Sequence, residues 1–462
     1  MVALRMSLTY QTIQPSTGEV LDNFSILPLD QIPAKAEKSL EAFHAWKRST
    51  FDERSHVLLK LAERLRIQKR ILAKLMASEM GKPISSGLAE IEKCALMCEY
   101  YAENGEAFLR NELIESDAST SYISYQPMGP VFAVMPWNFP FWQVLRFAAP
   151  ALMAGNTAIL KHASICTQCA LEIEKLFLEA GAPKNVFQTL RINHEGCETL
   201  LRHPAIQAAT VTGSTEAGRI VAGIAASELK KVVLELGGSD PYLVLADADP
   251  EQAAEICVTG RMINNGESCI AAKRFITQPE IHDAFVKAVV KKMKAYNMGD
   301  PLLPETTLGP MASDDIRSDL HKQVSKTLAE GAECLLGGEL PEGKGFFYPA
   351  TVLTKVTEDM TAAKEELFGP VACILAAKDE EDAIRIANQS DFGLGAAVIT
   401  KDLEKGQFIA EHRLEAGCCF VNTNVKSDPR LPFGGIKKSG FGRELSYLGI
   451  REFTNIKTVY VA

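Results

Sequence analysis

Along residues 35 to 110 apolar side chains recur every three or four positions, as in "SHVLLKLAERLRIQKRILAKLM", among Ala, Glu, Lys and Arg. That spacing predicts several amphipathic helices. From about residue 130 the texture changes to short apolar runs alternating with helical stretches, the pattern of a parallel sheet with crossover helices. The runs "VFAVMPW", "TAILKHA", "NVFQTL", "AIQAATVTG" and "KKVVLELGG" read as its strands, in a doubly wound layout suited to a nucleotide. A second alternation starts at "PYLVLAD", runs through the helical "PEQAAEICVTGRMINN" and the strand "KRFITQ", and reaches a helix after Pro279. Two α/β units joined near Gly237 and Gly238 are expected. Between the first helices and the first sheet, "LIESDASTSYISYQP" alternates β-prone residues; paired with the last strand "KTVYVA" it would make an oligomerisation arm.

Composition narrows the partners. The chain has 462 residues, room for two or three cores. A formal net charge of -9 disfavours nucleic acid or an anionic membrane as the main partner, though a local basic pocket for a small anion is compatible with it. No run approaches the roughly 18 apolar residues that span a bilayer, and "MVALRMSLTY" lacks the apolar core of a signal peptide, so the cytoplasm is the expected compartment. Eleven cysteines are scattered along the chain, without paired CxxC or HxxxH spacing, and read as reduced thiols with no metal site. The lone CxxC, Cys166 to Cys169, falls in the apolar-periodic "ICTQCALEIEKLFLEAG" and reads as a buried helix face.

Against that background "NNGESCIAAKR" stands out. A free cysteine is usually a small buried hydrophobe, but Cys269 follows turn-forming Asn264, Asn265 and Gly266, and "CIAA" can start a helix whose amides favour a thiolate. A thiol attacking a carbonyl needs a donor for the oxyanion, and Asn138 of "MPWNFP" ends a predicted strand; alone, it is better explained as a turn cap. Hydrolysis of a covalent intermediate needs a base, and Glu235 of "LELGG" lies among apolar residues, where a structural ion pair is the competing explanation. "VTGSTEAGRI" offers a strand, a glycine turn and a helix start, at which Ser214 and backbone amides can hold a phosphate; it is neither a Walker A loop nor GxGxxG.

Together, "PWNFP", "KHAS", "VTGS", "ELGG", "NNGESC", "EELFGP" and "PFGGIKKSGFGRE" resemble the aldehyde dehydrogenase superfamily in order and spacing, from about residue 12 to the C-terminus. The resemblance implies that family's α/β fold: a Rossmann-like dinucleotide-binding domain (1–108 and 128–237), a second α/β catalytic domain (238–430) and a β oligomerisation arm (109–127 and 445–462). It implies Cys269 as nucleophile, Glu235 as general base and Asn138 as oxyanion-hole amide. For NAD or NADP it implies Trp137, Lys161, Ser164, Gly213, Ser214, Glu366 and Phe368. Arg146, eight residues after Asn138, and Ser427, five before "PFGG", match the carboxylate-binding positions of the succinate semialdehyde dehydrogenase branch. The activity implied is NAD(P)-dependent oxidation of that aldehyde through a cysteine thiohemiacetal and thioester in a homo-oligomer. Another small aldehyde is the alternative; a CoA-acylating enzyme fits Glu235 poorly, and a catalytically silent binding protein fits the retained residues poorly.

Four positions depart from the pattern. Glu267 stands where Gln is usual, an extra carboxylate expected to disfavour the thiolate. His162 replaces a proline, and Ser164 stands where NAD-preferring members often carry Glu; Lys161 with His162 is then expected to attract a 2'-phosphate. Ile263 occupies the place of a second substrate arginine.

Overall fold

The computed structural model describes residues 9–462. The first eight residues, most of "MVALRMSLTY" and the start of the 1–108 span, lie outside the described residues. The periodic N-terminal region forms three helices, Ile32–Trp46, Phe51–Met80 and Ile84–Leu109. Thr50 and Glu53 close a reciprocal capping box at the start of the second, and Gly81, in the left-handed region at φ 77°, ends it.

Strands Pro130–Met135, Thr157–His162, Phe187–Thr189, Ala208–Thr212 and Lys231–Glu235 form a parallel sheet, with the short antiparallel Gly440–Phe441 on its edge. Alternate side chains go to opposite faces. Val131, Ala133, Leu160 and Val233 pack with Leu58, Leu61, Met76 and Leu145, while Phe132, Ile159, Val211 and Leu234 pack with Ile32, Ala36, Leu200 and Val221. Helices therefore cover both faces, which is why these strands are continuously apolar. The order reverses beside Pro130–Met135: its two sequence successors lie on one side and Ala208–Thr212 on the other. Such a switch point leaves a crevice at the C-terminal strand ends.

The second sheet holds Glu333–Leu336, Thr351–Thr354, Val371–Ala376, Ala272–Thr277, Asp240–Val244, Gly395–Ile399 and Cys418–Val421, parallel except for the first. Residues 236–239 carry the chain from one sheet to the other. In a third sheet, Thr454–Val461 pairs antiparallel with Thr120–Pro127 along its whole length, flanked by Glu112–Leu113. Among the described residues no helix is long and apolar enough to cross a membrane.

Candidate active site

Strand register brings the chemistry together. Thr212 pairs with Glu235, and Glu235 with Gly440, so the carboxyl sits beside the turn at Gly213 and Ser214. Beyond residues 236–239, Asp240 pairs with Ala272, three residues after Cys269. The short link thus forces the last strand of one sheet and the first of the next to meet at the thiol. A Cβ on Gly238 would lie 2.8 Å from the Cys269 carbonyl, so only glycine permits this approach.

Cys269 itself lies in a turn leading straight into Ala272–Thr277, not at a helix start. The buried strand is the stronger demand on "AKRFIT", and it leaves too few residues for a helix. "NNG" makes the turn: Asn264, Asn265 and Gly266 are successively left-handed, with φ 53°, 59° and 77°. Asn tolerates that region because its amide can bond locally. Here Asn264 Nδ2 donates to the carbonyls of Asn138 (2.8 Å) and Glu267 (3.1 Å). Asn138 Nδ2 also donates to the Glu267 carbonyl, at 3.0 Å, which fixes its amide plane and leaves one N–H for another acceptor. Upstream, Glu90 accepts the backbone N–H groups of Phe141 and Trp142 and pairs with buried Lys82, anchoring the loop that carries Asn138.

Trp137, Asn138, Gly213, Ser214, Glu235, Cys269, Glu366 and Phe368 all line one cleft of about 320 Å³. Its floor is electrostatically unusual. Burial pushes the Cys269 thiol up to about 12, against the pull of Lys273 and Arg146. Burial, with Glu444 beside it, holds Glu235 well above the usual carboxylate range, and both its oxygens lack hydrogen-bond partners. Burial thus favours the uncharged forms of both Cys269 and Glu235. Lys273 donates to the carbonyls of Ser268 (2.7 Å) and Cys269 (2.6 Å) and lies 3.3 Å from Glu366, whose carboxylate also accepts from Gly238 N–H. Trp137 and Phe368 meet edge to face at 5.6 Å. Ser214 Oγ accepts from Ala217 N–H and caps helix Thr215–Ser227, leaving its own proton and the first amides for an anion. A Cβ on Gly213 would meet nothing within 4 Å, so the space before these donors is open.

A sequence model of the aldehyde dehydrogenase family matches residues 4–459. The chain belongs to the aldehyde dehydrogenase family. It is 48% identical over 451 residues, 98% of this chain and 99% of the relative, to the probable succinate-semialdehyde dehydrogenase [NADP(+)] of Synechocystis sp.. It is 46% identical over 452 residues, 97% of each chain, to the succinate semialdehyde dehydrogenase [NAD(P)+] Sad of Escherichia coli. Among solved structures, the succinic semialdehyde dehydrogenase of Streptococcus pyogenes in complex with NADP+ superposes with a TM-score of 0.95 at 36% identity, covering 98% of this chain and 99% of that one.

The remaining positions suggested by family resemblance lie away from the cleft lining. Half-buried Lys161 lies one residue before the end of strand Thr157–His162, beside Pro130–Met135, and Ser164 opens the 3-10 turn after it. Lys161 makes no ion pair among the described residues; burial lowers its pKa, and the neighbour acting against that is Cys197, not a carboxylate. His162 does not join it as a cation. It is buried with Nε2 3.0 Å from the Pro140 carbonyl, and burial lowers its pKa to about 4, so it is neutral and cannot attract a phosphate. Glu267 likewise corrects expectation: its Oε1 accepts from Ala312 N–H at 3.0 Å, burial raises its pKa well above the usual carboxylate range, and it is not among the main charges acting on the thiol.

Arg146 is 3% exposed and ion-paired with Glu444, its guanidinium 4.7 Å above the Phe433 ring. Glu444, Glu235 and Cys269 offset the burial that would lower its pKa. Ser427 Oγ accepts from Lys93 at 2.7 Å. Glu444, Lys273 and Lys93 were not singled out by sequence reading. Glu444 lies inside the "GFGRE" motif and Lys273 four residues after Cys269, but Lys93 is one lysine of an amphipathic helix and carries no local signal. The CxxC pair is buried beside Glu79, whose carboxylate accepts from the amides of Gln168 and Cys169 and so caps helix Thr167–Glu179.

Proposed function

We propose that this chain oxidises succinate semialdehyde to succinate with NADP or NAD, through a covalent intermediate on Cys269. The observation that carries the activity is the meeting of Cys269, Asn138 and Glu235 at one cleft that runs to the helix N-terminus at Ser214. The substrate and cofactor follow from the names of relatives that match nearly the whole chain.

The residues fit a dinucleotide. Gly213, Ser214 and the amides after them suit a pyrophosphate, Lys161 a ribose, and Glu366, Phe368 and Trp137 the nicotinamide end. A nicotinamide dinucleotide held there supplies the hydride acceptor. In the chemistry at Cys269, the thiol loses its proton as Sγ bonds to the aldehyde carbon, and the oxyanion takes the free Asn138 N–H and the Cys269 backbone amide. Loss of hydride from that carbon to the nicotinamide acceptor would leave a thioester on Cys269; Glu235 then takes a proton from water as the water oxygen attacks the thioester carbonyl, and the Cys269 thiolate departs. Glu235 must be ionised for that step, and burial opposes its ionisation.

In this reading residues 1–108 and 128–237 carry the dinucleotide, 238–430 the nucleophile, and 109–127 with 445–462 join subunits. Exposed Leu113, Ile456 and Tyr460 on the third sheet support that last assignment. The eleven free cysteines suit the reducing cytoplasm.

The test is a panel of aldehydes with each cofactor, followed by absorbance of the reduced nicotinamide. Succinate semialdehyde should give the highest kcat/KM and Cys269→Ala none. Substantial turnover by that variant removes Cys269 from the mechanism.

A further inference from the structure

Lys93 projects from helix Ile84–Leu109 into a second cavity of about 430 Å³, which Phe139, Trp142, Ile263 and Asn264 also line. Asn138 borders the first cleft and the next residue, Phe139, this one, so the two cavities adjoin at one loop, and the charge of Arg146 acts on both Cys269 and Lys93. The ammonium lies 4.0 Å above the Trp142 ring and donates to Ser427 Oγ. Both neighbouring carboxylates are already engaged, Glu90 with Lys82 and Asp428 with Arg430. Arg146, whose charge also acts on Lys93, is ion-paired with Glu444. Lys93 is therefore a largely desolvated cation with no carboxylate partner among the described residues, facing a cavity. Such a charge is costly to bury unless an anion completes it.

We propose that Lys93 receives the far carboxylate of the substrate, with Ser427, whose proton is free because its oxygen accepts from Lys93, as the second donor. This rests on the function proposed above and adds the residue that selects a charged aldehyde. An ammonium at this point also makes the selection pH-dependent. The groups facing it are Arg146 from helix Trp142–Met153, Asp428 from the loop bearing Ser427, and Glu90 and Cys94 from its own helix. Burial, then Arg146, lowers its pKa to about 8. KM for a charged aldehyde should accordingly rise as pH passes 8, while the ring of Trp142 and the aliphatic stem of Lys93 continue to accept an uncharged chain.

The experiment compares succinate semialdehyde with butanal, an uncharged aldehyde of equal length, in wild type, Lys93→Met and Lys93→Arg. The quantity read is the ratio of the two kcat/KM values. Lys93→Met should lower it about 10- to 100-fold, the range for one charge-assisted hydrogen bond, mainly through KM for the charged aldehyde. Lys93→Arg should restore most of it and extend the plateau of that KM above pH 8. A wild type that favours succinate semialdehyde, with the preference intact in Lys93→Met, overturns the assignment of Lys93 and leaves the activity standing. A wild type without preference overturns both.

Discussion

Replacing Glu267 by Gln should make the protein more stable as pH rises while leaving the thiol alone. The side chain is fully buried, Oε1 accepts from Ala312 N–H, and Oε2 has no partner. Burial raises its pKa well above 4.5, with the Ala312 hydrogen bond and Lys82 pulling the other way. The folded state thus keeps a proton that the unfolded chain releases near 4.5. Wherever the folded state binds the extra proton, stability falls with rising pH by about 1.4 kcal/mol per pH unit. Glutamine fills the same space, keeps the acceptor for Ala312 and carries no such dependence. Wild type and variant should converge towards pH 4.5. Above that, Glu267→Gln should gain about 1.4 kcal/mol per unit until the buried acid ionises. Urea unfolding midpoints between pH 5 and 8, with refolding controls, measure the difference, and the pH profile of kcat/KM should keep its shape. A constant difference would show that Glu267 does not titrate in this range. A difference of opposite sign would mean that Lys82 holds it as a carboxylate in the folded protein, and the burial argument would be wrong.

Glu235→Gln should retain a burst of reduced nicotinamide and then stall as an acyl-enzyme visible by mass spectrometry, with steady-state turnover down about 10²- to 10⁴-fold, the usual contribution of a general base. Asn138→Ala should lower kcat about 10²- to 10³-fold, the loss expected for one oxyanion donor, with cofactor affinity unchanged by titration. Arg146→Ala should destabilise the fold by about 3 to 5 kcal/mol, because Glu444 is left buried without its partner; adding Glu444→Gln should recover much of this in unfolding midpoints. With no carboxylate acting on Lys161 and Ser164 in place of a glutamate, NAD and NADP should both support turnover; selectivity beyond about a thousandfold, roughly 4 kcal/mol, would require repulsion from another group.

Local pattern sufficed for much of this. The five parallel strands of the first sheet were legible as short apolar runs between helical stretches, because a strand covered by helices on both faces is apolar throughout. The glycines of "ELGG" and the asparagines of "NNG" marked close approaches and left-handed turns that few other residues tolerate, and so pointed to Cys269 and Glu235. Five strands of the second sheet, Glu333–Leu336, Thr351–Thr354, Val371–Ala376, Gly395–Ile399 and Cys418–Val421, were not placed, since runs of four to six residues carry too little periodicity to distinguish them. Charge state belonged wholly to tertiary structure. Nothing local to Glu267 says that it faces Ala312, nothing in "KHAS" says that His162 is neutral, and no spacing connects Arg146 to Glu444, 298 residues later. Nor does any motif bring Lys93 to Ser427, 334 residues away. Residue type determines which charges a chain owns, whereas desolvation and the nearest opposite charge determine which of them are active, and both exist only once the chain has closed around them.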